Sequence, residues 1–147
     1  MINQWKLFAA LFLLLALTAA CCKKTPYDIN SGKQIASQLK PGPGNPRNSE
    51  GDFIQLKDGR ILFVYTYFTG GGGDYSKAHL AGCFSDDDGR TWTLEQAVIL
   101  PNEGDMNTMS VSLLRLNDGN ITMFYLRKNS ESDCIPYMRI STDETKS

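Results

Sequence analysis

The sequence predicts an all-β protein made of repeated antiparallel strand units. Three observations support this: runs of β-branched and aromatic residues alternate with short turns, two Asp-Gly turns stand at equivalent places in two similar segments, and an eight-residue turn motif follows the third predicted strand. The composition is that of a globular chain, with 41% hydrophobic and 21% charged residues among 147. The net charge of −1 gives no basic surface, so no nucleic-acid partner is expected.

The first unit has the strand and turn signals of an antiparallel sheet. Asp58-Gly59 predicts a tight hairpin turn, and the sequence ILFVYTYF that follows it is rich in β-formers. A glycine-rich loop covers residues 69–73. Four strands are predicted, over residues 52–56, 61–68, 77–84 and part of 93–100.

A second unit begins near Met109 and repeats this order. Asp118-Gly119 follows Asp58-Gly59 by about 60 residues, and further strands are predicted over residues 121–126 and 137–140. Repetition at this period indicates stacked four-stranded units, as in the blades of a β-propeller.

The turn motif Ser85-Asp86-Asp87-Asp88-Gly89-Arg90-Thr91-Trp92 matches the pattern S-x-D-x-G-x-T-W at every fixed position. Asp87 can accept hydrogen bonds from backbone N–H groups of its own turn, and Gly89 supplies a positive φ. Trp92 is predicted to start the fourth strand and to be substantially buried. The motif resembles the Asp-box of the sialidase-like (BNR-repeat) proteins, where it joins the third and fourth strands of a blade.

A second, incomplete copy of this motif is predicted in the second unit. Ser141 and Asp143 match its first two fixed positions, whereas Thr145 replaces the glycine.

The resemblance implies a six-bladed propeller of which this chain holds about two four-stranded antiparallel blades, so a truncated propeller domain is expected over residues 47–147. The first blade would cover about 47–104, and the incomplete second blade about 105–147. The family members cleave terminal sialic acids from glycans as exo-α-sialidases (neuraminidases). Their tyrosine nucleophile, its glutamate partner and further arginines come from later blades. This chain alone is therefore expected to be inactive, and missing blades or an assembly partner would complete it.

A second interpretation stays open. Asp-boxes build blades and perform no chemistry, so a non-catalytic propeller module that binds carbohydrate or protein fits the same motif.

The resemblance also suggests site residues. Arg47 stands where the family's first carboxylate-binding arginine belongs, although the family usually has Arg-Ile-Pro and this chain has Arg-Asn-Ser. Asp74, in the loop after the second strand, corresponds to the general acid. Because the start of one antiparallel strand lies beside the end of the next, both residues are expected at one end of the unit. Arg127 and Asp133 are weaker candidates for substrate contact.

Other reactive side chains are given structural roles. His79 lacks Cys or carboxylate neighbours at metal-ligand spacing, and the motif explains Asp86, Asp87 and Asp88 without calcium, so no metal or cofactor is expected. Four tyrosines lie within strand patterns: Tyr65, Tyr67, Tyr125 and Tyr137.

The N-terminus predicts export. An apolar run over residues 7–20 suits a signal peptide, predicted over residues 1–21. Leu17 to Cys21 resembles a bacterial lipobox in which Cys21 is lipidated, but Thr18 departs from the usual large aliphatic residue, so cleavage without lipidation stays open. Residues 22–46 would form a tether and the loop leading into the domain. The expected location is the bacterial cell envelope, as a membrane-anchored lipoprotein of the periplasm or outer-membrane surface, or the secreted fraction.

Two cysteines, Cys83 and Cys134, belong to the predicted domain. An oxidising compartment permits a disulfide between them, and two core thiols in neighbouring strands fit equally well.

Overall fold

A computed structural model of the protein describes residues 39–93 and 96–146, and this part is all-β. Within those ranges no helix is long and apolar enough to cross a membrane. The predicted signal peptide, Cys21 and the first part of the predicted tether lie outside the described residues. The seven strands are β1 (Arg47–Gln55), β2 (Ile61–Phe68), β3 (Ala78–Ser85), β4 (Ala97–Leu100), β5 (Asn107–Arg115), β6 (Ile121–Lys128) and β7 (Cys134–Ser141).

Strands β1 to β4 form a first antiparallel meander. Gly59 has a φ of 93°, and the turn closes with the backbone N–H of Leu56 donating to the carbonyl of Arg60 at 2.8 Å. β1 contains a bulge between Ser49 and Gly51. A Cβ at Gly51 would lie 2.6 Å from the Phe63 ring, so this close approach requires glycine.

Strands β5 to β7 form a second antiparallel meander with the same hairpin geometry, since Gly119 has a φ of 88°. One parallel bridge, between Ala78 of β3 and Asn107 of β5, joins the two meanders into a seven-stranded mixed sheet. The sheet is not closed. The positive φ of Gly59 and Gly119 and the strand pairings on either side of them confirm both predicted Asp-Gly hairpins.

The core lies between the two meanders, because its buried side chains come from both. Its members are Ile54, Leu56, Leu62, Val64, Leu80, Leu100, Val111, Ile121 and Tyr125. A carboxylate reinforces this packing: Asp52 on β1 accepts a hydrogen bond at 2.8 Å from the backbone N–H of Leu113 on β5. β1 and β5 are thus held together by a polar tie as well as by apolar contact.

Two predictions about the fourth strand need correction. β4 begins at Ala97, so Trp92 precedes the strand and does not start it. Trp92 is half-buried rather than deeply buried. Its indole meets the rings of Phe53 and Phe63 edge-on, at 5.6 and 6.2 Å between centroids. Those rings lie on the face of β1 and β2 opposite the core, where Phe53 is itself exposed, so the indole keeps contact with solvent.

The predicted strand lengths also differ from those observed. β1 and β7 extend over Arg47–Gln55 and Cys134–Ser141, beyond the predicted 52–56 and 137–140, because polar residues and Pro136 continue the ladder at the exposed edges. Cys83 and Cys134 are free thiols, with Cys83 buried in β3 and Cys134 exposed in β7. Neither of the two open alternatives is found: the two residues form no disulfide, and only Cys83 lies in the core.

Candidate functional site

Arg47 and Asp74 meet at one end of the first meander. Nη1 of Arg47 lies 2.5 Å from Oδ1 of Asp74, although 27 positions separate the residues. The same Nη1 donates to the carbonyl of Gly72 at 3.2 Å. The Arg47 side chain is 30% exposed and that of Asp74 is 61% exposed, so the pair faces solvent. The two side chains expected at one end of the unit are in direct contact.

The arginine rests on a rigid base. Its Cζ lies 4.7 Å from the centroid of the buried Phe68 ring, and Arg47 is paired with Phe68 in the β1–β2 register. The side-chain amide of buried Asn45 donates to the carbonyls of Arg47 and Phe68, at 2.8 and 3.0 Å. Asn45 therefore anchors the chain just before β1 and fixes the place from which the guanidinium projects.

A second buried asparagine holds the loop that carries Asp74. The side-chain amide of Asn107 donates to the carbonyls of Asp74 and Ser76, at 2.9 and 3.0 Å. The base of the loop is closed by the backbone N–H of Thr69, which donates to the carbonyl of Lys77 at 2.8 Å. Asn45 and Asn107 were not predicted from the sequence. Each binds a carbonyl group far away in sequence, so no local pattern indicates its role.

Tyr75 and Lys128 lie next to the Arg47–Asp74 pair, on the side of the second meander. The Tyr75 ring is 53% exposed, and Nζ of Lys128 lies 4.7 Å from its centroid. Lys77 forms a further link between the meanders, with its ammonium donating to the carbonyl of Asp105. Arg47, Asp74, Tyr75 and Lys128 thus form a strip in which cations flank a carboxylate and an aromatic ring. We call these four residues the polar strip.

Arg127 and Asp133 contact residues other than Arg47 and Asp74. The guanidinium of Arg127 stacks on Tyr137, with Cζ 4.5 Å from the ring centroid. Asp133 belongs to the β6–β7 turn, where its carboxylate accepts a hydrogen bond from the side chain of Asn129 at 2.9 Å. No hydrogen bond or ion pair within the described ranges joins Arg127 or Asp133 to Arg47 or Asp74. These bonds and the stacking give both residues local structural partners.

The turn motif closes as its residue types predict. Asp87 accepts hydrogen bonds from the Thr91 backbone N–H at 2.8 Å, from the Thr91 hydroxyl at 2.7 Å and from the Ser85 hydroxyl at 2.9 Å. These donors, Thr91 first, lower the pKa of Asp87 to about 2. Gly89 has a φ of 83°, and its N–H donates to the Ser85 hydroxyl at 2.9 Å.

The incomplete second motif adopts the same turn. The Ser141 hydroxyl donates to Asp143 at 2.9 Å and accepts from the Thr145 N–H at 2.9 Å, as Ser85 does with Asp87 and Gly89. Thr145 has a φ of 68° in place of the glycine. The repeat inferred from Ser141 and Asp143 is therefore present in the backbone geometry.

Glu144 gives this second turn an added contact. Its carboxylate binds Arg115 at 2.6 and 2.9 Å and accepts from the Lys57 backbone N–H at 2.8 Å. Arg115, and then Lys57, lower the pKa of Glu144 to about 2. The second turn is thus tied to the β1–β2 hairpin of the first meander.

The tyrosine hydroxyls nearest the core are not activated. Burial raises the pKa of Tyr65, and burial followed by its bond to Glu103 raises the pKa of Tyr125. Tyr125 is 3% exposed; its hydroxyl donates to Glu103 at 2.6 Å and accepts from Arg139 at 3.3 Å. This cluster joins the β4–β5 loop to β6 and β7. His79 stacks on Tyr67, and burial lowers its pKa.

An apolar cavity of about 560 Å³ lies elsewhere, between β4 and β7. Val98, Ile99, Met123 and Ile140 contribute to its walls, and no residue of the polar strip lines it. Among residues 39–93 and 96–146, no three His, Cys, Asp or Glu side chains group as metal ligands.

Comparison with known proteins supports the fold alone. No protein-family model matches the sequence, and no curated protein matches it either. Among solved structures, a protein of unknown function from Dyadobacter fermentans is similar, with a TM-score of 0.61 and 20% identity over 73% of this chain. This chain spans about a third of that protein's length, since the match covers 36% of it. At this identity the likeness supports a shared all-β architecture.

Proposed function

We propose that this chain is part of a sialidase-like, Asp-box β-propeller, and that the Arg47–Asp74 corner belongs to its site for terminal sialic acid. One observation carries the proposal: the two side chains that the family resemblance assigns to one site are 2.5 Å apart. The loop base that holds Asp74 and the strand pair that holds Arg47 are each fixed by a buried asparagine. A pre-positioned pair of this kind suits recognition of a charged ligand.

The propeller part of the proposal is supported by the repeat. Each meander begins with a strand followed by an Asp-Gly hairpin, and in each the third strand ends in a turn closed by serine and aspartate. We assign β1–β4 to one blade and β5–β7 to the next. β1 and β5 would then be equivalent strands, which is consistent with their direct contact through Asp52.

The chemistry would divide between the two side chains. A guanidinium keeps its charge and matches a carboxylate with two parallel N–H donors, so Arg47 would bind the carboxylate of sialic acid. Asp74, projecting from the adjacent loop, would protonate the leaving glycosidic oxygen as a general acid. The exposed Tyr75 ring would contact an apolar face of the sugar or of its neighbour.

A non-catalytic binding module is the second candidate. An Asp-box builds a blade and performs no chemistry, and burial raises the pKa of Tyr65 and of Tyr125, so neither of these tyrosines is an activated nucleophile. Release of sialic acid from a fluorogenic sialoside would separate the two candidates in a protein that also carries the later blades. We expect ligand binding by this chain without such turnover, and turnover would require residues outside the described part.

Ligand binding tests the proposal directly. We would titrate the chain with the α-methyl glycoside of N-acetylneuraminic acid, followed by protein-observed NMR, with the methyl ester of the same sugar as the uncharged control. The acid should bind and the ester should not. Arg47→Ala should weaken binding about ten-fold or more, because a hydrogen bond to a charged group is lost. The matched variant Arg60→Ala removes an arginine paired to Asp58 in the β1–β2 hairpin and should change nothing. Equal binding of acid and ester would refute the proposal.

We also propose, from the sequence alone, that the protein is exported and anchored through Cys21 to a bacterial membrane.

A further inference from the structure

Arg47 already has a carboxylate partner within its own chain. The Asp74 carboxylate accepts a hydrogen bond from Nη1 of Arg47, and the same nitrogen donates to the Gly72 carbonyl. Nε and Nη2 donate to no acceptor in residues 39–93 and 96–146, so half of the guanidinium fork stays available. An incoming carboxylate can therefore make a first contact with Arg47 while Asp74 is bound, but the two carboxylates then repel each other and share one cation until Asp74 leaves.

The way Asp74 is held decides how it could leave. Asn107 fixes the Asp74 carbonyl at 2.9 Å, so the backbone of this residue is anchored to β5. The carboxyl group has Arg47 as its ionic partner and is largely exposed to solvent. Releasing Arg47 thus requires rotation of one side chain and leaves the loop in place, which is a small change on a fast timescale.

From these contacts we propose that Asp74 is an internal competitor at Arg47, and that a carboxylate ligand binds by exchange with it. The inference rests on the proposed function in taking Arg47 as the carboxylate-binding residue. Exchange would free the Asp74 carboxyl group from Arg47 for a second contact with the ligand.

The solvent exposure of the Arg47–Asp74 ion pair sets how strongly Asp74 competes with a ligand carboxylate. Ion pairs open to solvent are weak, so removing Asp74 should strengthen carboxylate binding by about two- to five-fold. The sign is the diagnostic feature. A side chain that only assists ligand binding would weaken it when removed, whereas an internal competitor strengthens it.

The test compares dissociation constants for the same α-methyl sialoside and for acetate, measured by NMR titration of the full chain. Asp74→Asn and Asp74→Ala should both tighten binding, alanine more, because asparagine can still accept from Arg47 through its amide oxygen. Asp58→Asn is the matched control, since it breaks an exposed Asp–Arg pair, Asp58 with Arg60 at 2.8 Å, in the β1–β2 hairpin. It should leave both constants unchanged.

The two ligands separate this inference from the proposed function. If acetate binds at Arg47 and tightens with Asp74→Ala while the sialoside fails to bind, exchange stands and the sialic acid assignment falls. If the sialoside binds through Arg47 but Asp74→Ala leaves its affinity unchanged or weakens it, exchange is refuted and the assignment stands. Binding of neither ligand refutes both.

Discussion

Thr145 is the residue whose replacement tests the repeat most sharply. It adopts a φ of 68° at the position where the first turn has Gly89 with a φ of 83°. A left-handed backbone costs an L-residue about 1–2 kcal/mol, and more for a β-branched one. Glycine removes this strain but loses about 0.5–1 kcal/mol through its freer unfolded chain. Thr145→Gly should therefore raise the free energy of unfolding by about 0.5–1 kcal/mol.

The reciprocal change supplies the control. A Cβ at Gly89 would meet nothing closer than 3.8 Å, so Gly89→Thr adds backbone strain without a clash and should lower stability by a similar amount. Urea unfolding measures both, and Thr145→Gly should raise Tm by about 2–8 °C. A Thr145→Gly variant that is less stable than the parent would show that the two turns are not equivalent.

Four further outcomes follow from the structure. Asp87 and Glu144 have lowered folded-state pKa values, so their stabilisation is present above about pH 4.5 and is lost as pH falls toward 2; Asp87→Asn should flatten the acid limb of a Tm-against-pH curve, and an unchanged limb would contradict this. Asn107→Ala should lower the free energy of unfolding by about 2–3 kcal/mol and speed hydrogen exchange in residues 69–77, because the carbonyls of Asp74 and Ser76 lose their donor. Unchanged exchange would show that Asn107 does not hold this loop. Trp92→Ala should cost about 1.5–2.5 kcal/mol in urea unfolding, since its indole is half-buried, and a loss under about 0.5 kcal/mol would refute that packing. Mass spectrometry of the mature N-terminus should find a lipid on Cys21, and an uncleaved or unmodified chain would contradict the predicted anchor.

Much of the sheet could be predicted because its signals are local. β2 was predicted at its observed bounds, Ile61–Phe68, since a run of β-branched and aromatic residues between a D-G turn and a glycine loop permits few alternatives. The turn at residues 85–92 was predictable because Ser85, Asp87 and Gly89 each meet a need of the turn itself. The contact between Arg47 and Asp74 followed from antiparallel topology.

What escaped prediction depends on contacts between distant segments. Asn107, Asn45 and Asp52 act on backbone groups far away in sequence, and nothing local distinguishes them from solvated polar residues. Trp92 was expected to be more buried because its size favours a core position, whereas the sheet face that it covers is open to solvent. Glu144 accepts a hydrogen bond from Lys57 of the first meander, and the turn motif leaves the position of Glu144 unspecified.

A crystal structure of the chain with the α-methyl glycoside of N-acetylneuraminic acid tests the central claim most directly. We expect the ligand carboxylate within hydrogen-bond distance of the Arg47 guanidinium, with the Asp74 side chain rotated away from Nη1 and its carbonyl still bound to Asn107. A sugar bound at another place, with the 2.5 Å contact between Arg47 and Asp74 intact, would contradict the account.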